Sequence, residues 1–279
     1  MTALGFKHPD KRRMPTFALL PFVVLTFAIT WGLTGLYILA PAWAVARFGA
    51  LSGTHPIFVA ATWGPAFAAF VLVLGYSGIG GLRGFLARLL LWRVPWAWAA
   101  FLLLGIPLIF IAGALAKGEP ALQMPDGGMP ALFGAAVIML FLGPIEEFGW
   151  RGVMQPLLQR LMAPIWAGVI IGAVWGLWHL PAFHLAGTLQ SGWAFWPFFL
   201  GNVALAVIVT PLLNASRGSI LLPMLFHWQL INPLWPDAQP YDIAFFVLAA
   251  LLVLWLNRKA MVSRTGAVRD VFPDAGSES

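Results

Sequence analysis

What this chain can fold into is decided by the length of its apolar runs. Eight of them, at residues 17–39, 57–78, 96–116, 131–155, 165–185, 193–213, 219–234 and 243–256, are separated by short connections. About 20 predominantly apolar residues cross the hydrocarbon of a bilayer as a helix. Open strands cannot do so, because each backbone N–H and C=O must be satisfied within the segment. The sequence therefore predicts an all-α, polytopic membrane protein of about eight transmembrane helices, the last two runs being the shortest. Charge agrees: 9% of residues are charged and 61% apolar, against about 25% and 45–50% in a soluble domain.

The basic residues set the expected orientation. With the N-terminus in the cytoplasm, fourteen of the sixteen Lys and Arg fall in inside loops and tails, leaving Arg47 and Lys117 outside. This is a strong positive-inside bias, and it expects both termini to be cytoplasmic. Residues 1–16 then form a cytoplasmic tail, 17–256 a membrane domain with a catalytic core at 131–234, and 257–279 a cytoplasmic tail whose polar stretch 263–279 is expected to be disordered. The first run exceeds a secretory h-region in length and reads as an uncleaved helix. The segment carrying Arg83, Arg88 and Arg93, spaced by five, reads as a snorkelling cytoplasmic stretch. A net charge of +6 does not point to nucleic acid, since the basic residues are dispersed among loops and form no single water-facing surface. The absence of cysteine excludes disulfides, thiolate metal sites and a cysteine nucleophile.

Eight of the ten acidic residues are assigned to loops or tails, Asp242 among them, whereas Glu146 and Glu147 stand side by side inside an apolar run. Ionisable groups in lipid cost about 2.5–3.5 kcal/mol each on the insertion scale and mark functional sites by default. Glu147 and Arg151 are i and i+4 and share a helix face, which makes them a structural ion pair. Glu146 is about 140° from Arg151 and has no local cation. Pro144 loosens the helix just before it. A desolvated carboxyl so placed suits a general base that activates water. The alternative is that both glutamates cap a helix end at the interface.

His179 and His227 lie inside the fifth and seventh runs, and polar groups in lipid turn toward one another. His184, five residues beyond His179, diverges from it on a helix and is expected at the interface. His8 and His55 are given no role. No HExxH zinc motif and no GxSxG elbow occurs.

The stretches EEFGWR at 146–151, WGLWH at 175–179 and HWQLI at 227–231 resemble the EExxxR, FxxxH and HxxxN motifs of the CPBP family. This group contains CAAX prenyl endopeptidases and bacteriocin-processing intramembrane proteases. Trp175 replaces the usual Phe, and the asparagine is displaced by one residue to Asn232, about 100° around a helix. The resemblance implies an intramembrane endopeptidase with Glu146 as the water-activating base and Glu147 with Arg151 as its ion pair. His179 and His227 would polarise the scissile carbonyl, or join Glu146 in binding a divalent metal such as zinc, which would make the chain a metalloprotease. Asn202 is the alternative amide donor to Asn232. A membrane-associated or lipidated peptide is the implied substrate, and the plasma membrane of a bacterium the implied location. The oligomeric state is not legible. The rival reading is a catalytically weak or silent membrane protein that confers bacteriocin immunity by binding a peptide.

Overall fold

The computed structural model describes residues 14–121 and 127–272. Among them there is no strand, and each apolar run is helical. Six helices are long and apolar enough to cross a membrane: α1 (Thr16–Leu39), α2 (Gly64–Leu90), α3 (Trp96–Lys117), α4 (Gly128–Leu161), α5 (Pro164–His184) and α6 (Phe195–Ala215). Two shorter apolar helices follow, α7 (Leu221–Ile231) and α8 (Tyr241–Leu256). The second run is divided: Pro56–Thr62 is a separate short helix. α2 continues to Leu90 past a kink at Gly78, where φ is 61°. The basic residues Lys7, Lys11, Arg12 and Arg13, together with His8, lie outside the described residues.

The helices are apolar outside and polar inside, as lipid requires. Leu103, Leu104, Phe133, Leu248 and Trp255 are exposed. On α1 the buried face carries Thr26, Thr30 and Thr34. The Thr30 hydroxyl donates to the Ala61 carbonyl at 2.7 Å and accepts from Trp178 Nε1 at 2.8 Å, tying α1 to α5. One buried cluster forms around Phe22, Phe85, Trp150 and Ile171; another forms around Ile106, Ile208, Phe226 and Phe246.

Helices α5 and α6 meet through Gly168, Gly172 and Gly176, one residue per turn of α5. A Cβ on Gly172 would stand 2.5 Å from Val203 Cα and 2.9 Å from the Asn202 carbonyl. Small residues at this spacing let helix backbones touch. The contact seats Asn202 directly beside α5, the helix that carries His179.

Two expectations are corrected here. Arg88 does not snorkel: it is buried. Its Nε donates to Gly218 O (2.7 Å), Nη1 to Gly152 O (2.7 Å) and Val271 O (3.1 Å), and Nη2 to Arg151 O (3.3 Å). A guanidinium offers five N–H donors in a fixed fork, so one side chain gathers carbonyls from three segments. The C-terminal tail is likewise ordered as far as it is described. Gln159 donates to Val268 O at 2.7 Å, Arg160 Nε donates to Arg269 O at 2.6 Å, and Val271 is buried. Polarity of sequence is outweighed there by backbone hydrogen bonds and two apolar side chains, Val271 and Phe272, set on the core. Arg160 also donates to Met14 O at 2.6 Å, so the two described ends of the chain meet on one face.

Candidate active site

The site begins where α4 stops being a regular helix. After Gly128–Met139 the chain turns through Leu140–Leu142, forms a 3₁₀ turn at Gly143–Glu146 and a short α turn at Glu147–Gly149, then widens into a π turn at Trp150–Met154. Pro144 lies in the 3₁₀ turn, as its missing donor led us to expect. π turns inside helices are frequent at functional positions. Glu146 and Glu147 are each 2% exposed. They are interior residues, and Glu146, the N-cap of the turn that follows, makes no side-chain capping hydrogen bond.

The two carboxylates find different partners. Glu146 Oε2 accepts from Trp175 Nε1 at 2.8 Å and from Trp150 Nε1 at 3.2 Å. Glu147 Oε1 takes His227 Nδ1 at 2.8 Å, and its Oε2 lies 3.6 Å from Arg151 Nε. The i,i+4 pair expected from spacing is therefore present, although too long for a hydrogen bond. The Arg151 guanidinium also lies 5.7 Å from the Trp175 ring centroid.

His179 caps the α-helical part of α5, Pro164–Trp178, with Nδ1 on the Trp175 carbonyl at 2.8 Å, before the 3₁₀ turn Leu180–His184. Its ring is edge-on to Trp178 and Phe198, at centroid distances of 4.7 and 5.1 Å. In both histidines Nδ1 faces an oxygen acceptor and so carries the proton, which leaves Nε2 for chemistry. His227 Nε2 sits over Gly143, where a Cβ would be only 2.6 Å away. A larger residue at 143 would cover that nitrogen.

One cavity of about 570 Å³ joins these groups: Glu146, Trp175, His179, Asn202, His227 and Asn232 all line it. Glu147 and Arg151 are not part of its wall. The two asparagines differ. Asn232 caps α7, with Nδ2 donating to Trp228 O (3.0 Å) and Gln229 Oε1 (3.3 Å) while Oδ1 accepts from Leu234 N (2.9 Å). Both of its amide hydrogens are thus engaged. Asn202 uses Nδ2 once, toward Phe198 O at 3.0 Å. Among the described residues no three of His, Cys, Asp and Glu are grouped as metal ligands. His184 is exposed, and His55 fixes its own loop, with Nε2 on Phe48 O at 2.9 Å.

Two lining or bracing residues escaped the sequence reading. Trp150 is an i+4 neighbour of Glu146 and could have been found by spacing alone. Asp242, assigned to a loop, sits in the first turn of α8 and is 2% exposed. It lines the same cavity. The helix starts at Tyr241, two residues before the apolar run at 243–256.

A polytopic helical membrane protein whose interior gathers two glutamates and two histidines around one cavity is the class defined so far. The family model for Type II CAAX prenyl endopeptidases of the Rce1-like kind matches residues 127–231. CAAX prenyl protease 2 of Methanococcus maripaludis is 27% identical over 150 residues, covering 50% of this chain and 54% of that protein. The chain thus spans about half the length of the curated relative it matches. Both matches bear out the resemblance to CPBP intramembrane proteases carried by the three motifs.

Proposed function

We propose that this chain is an intramembrane endopeptidase of the CAAX-protease type, in which Glu146 activates water. The observation that carries this reading is the convergence of Glu146, His179 and His227, from three helices, on one largely apolar cavity. In the proposed reaction Glu146 Oε1 takes a proton from water as the water oxygen bonds to the scissile carbonyl carbon. Both indole bonds fall on Oε2, which leaves Oε1 for the water. His227, paired through Nδ1 with Glu147, faces the developing oxyanion with Nε2, and donation from that nitrogen requires a proton there in addition to the one on Nδ1. The Asn202 amide is the second donor. His179 Nε2 accepts the other hydrogen of the water and orients it. Collapse of the tetrahedral intermediate breaks the C–N bond, and Glu146 returns its proton to the leaving amine.

No step is routed through a metal, because the carboxylate and imidazoles already have these separate duties. A membrane-associated, apolar or prenylated peptide is the substrate that suits the cavity wall, and a plasma-membrane location with both termini in the cytoplasm suits the distribution of basic residues. One observation favours a silent peptide-binding role: the amide of Asn232 is consumed in capping α7. Proteoliposomes holding the purified chain, given apolar decapeptides with and without a farnesyl group, decide between the two. Peptide-bond cleavage above that of empty liposomes supports the protease; binding without cleavage establishes the silent role.

A further inference from the structure

Among the described residues the cavity wall carries three carboxylates, Glu146, Asp237 and Asp242, and no lysine or arginine. Glu146 is braced by its two indoles, and Asp237 Oδ2 holds Lys117 Nζ at 2.8 Å. Asp242 is different. It is 2% exposed, and its Oδ1 has no hydrogen-bond partner among the described residues. A buried carboxylate oxygen left unmatched costs free energy that a neutral, apolar side chain of similar size would avoid.

The position is also rigid. Helix α3 abuts the start of α8 so closely that a Cβ on Gly113 would lie 2.9 Å from Asp242 N and 3.0 Å from its Cα. Phe110, Ile243 and Phe246 line the cavity beside it. The carboxyl is held by the backbone N–H groups of Ile243 and of Asp242 itself, with Asp237 and its partner Lys117 within electrostatic reach. With these apolar side chains beside it, the setting matches a long aliphatic stem ending in a cation. Low local dielectric strengthens such a charge-assisted bond relative to water.

We propose that Asp242 is a specificity subsite of the cavity, which selects peptides bearing one lysine or arginine among otherwise apolar residues. The proposal deepens the reading of the cavity as a peptide site and rests on it. It concerns recognition and adds no step to the chemistry.

The test separates binding from cleavage. Apolar decapeptides carrying either lysine or its uncharged analogue norleucine, scanned through every position, are titrated against the full chain with Glu146→Gln in nanodiscs. At one position lysine is expected to bind about ten- to a hundredfold tighter than norleucine. Adding Asp242→Asn, which keeps the side-chain volume, brings that ratio to within about twofold of one, and Asp242→Glu restores part of it. If the asparagine variant fails to fold, Asp242→Ser carries the same expectation. Equal affinities at every position, or a lysine preference that survives Asp242→Asn, overturn the subsite. Cleavage by the unmutated chain is followed separately. A preference without cleavage retires the protease reading and keeps the subsite, whereas cleavage without a preference retires the subsite alone.

Discussion

Glu146 and Glu147 are consecutive and equally buried, yet the protein holds them in opposite ways. Glu146 faces the cavity and is gripped at a single oxygen by two neutral N–H donors. Glu147 stands behind the cavity wall, with one oxygen on His227 and the other beside Arg151. In the proposed reaction the difference divides their work. A carboxylate behind the cavity wall, with one oxygen on an imidazole and the other buried beside a guanidinium, does not meet water in the cavity, but it fixes the aim of the histidine it holds. A carboxylate braced at Oε2 keeps Oε1 for a reactant. Burial alone does not mark a general base; the chemistry of its neighbours does.

That contrast can be broken or sharpened by substitution. The largest effect is expected from Glu146→Gln, which should lower cleavage about 10²–10⁴-fold, the range for loss of a general base, while leaving the melting temperature in detergent close to that of the parent. Residual activity above about a tenth would move the base elsewhere. Glu147→Gln should act on stability instead. It strands Arg151, whose Nε, Nη1 and Nη2 already lack hydrogen-bond partners among the described residues, at a cost of about 3–5 kcal/mol. A Glu147→Gln protein that melts like the parent but has lost all activity would reverse the two roles.

Smaller effects probe the bracing. Trp175→Phe keeps the ring and deletes one N–H from Glu146. It should lower kcat about tenfold with KM within about twofold, since a hydrogen bond to a charged group is worth roughly that much. An unchanged kcat would mean the indole does not position the carboxylate. The smallest effect is expected from chelation: if the proposed division of duties holds, cleavage should change by less than about twofold and the melting temperature by about one degree or less, since a metal would stabilise only by binding the folded form. Stoichiometric zinc, with activity lost on stripping and restored on re-addition, would contradict the separate duties given to Glu146 and the histidines.

What was legible in the sequence was whatever is local. The eight apolar runs follow from hydropathy over one segment at a time, and the Glu147–Arg151 pair follows from helical spacing within one turn. The partners that define the site are not local. Trp175 reaches Glu146 across 29 residues and His227 reaches Glu147 across 80, and only helix rotation and packing bring them together. Arg88 was misread for the same reason: its acceptors are backbone carbonyls of segments far along the chain, which leave no side-chain signature. The composition of the C-terminal tail pointed to disorder, yet two apolar side chains and three backbone carbonyls suffice to anchor it as far as residue 272. Asp242 is hidden because the helix begins two residues ahead of its apolar run, at Tyr241.

The central claim is that Glu146 delivers water to the scissile carbonyl without itself bonding to the substrate. A single turnover in heavy-oxygen water, with enzyme in excess over peptide, tests it directly. One heavy oxygen is expected in the new peptide carboxylate and none in the Glu146 side chain after digestion and mass spectrometry. Label appearing first in Glu146, with the product of that first turnover unlabelled, would show a covalent acyl intermediate on this glutamate and contradict it.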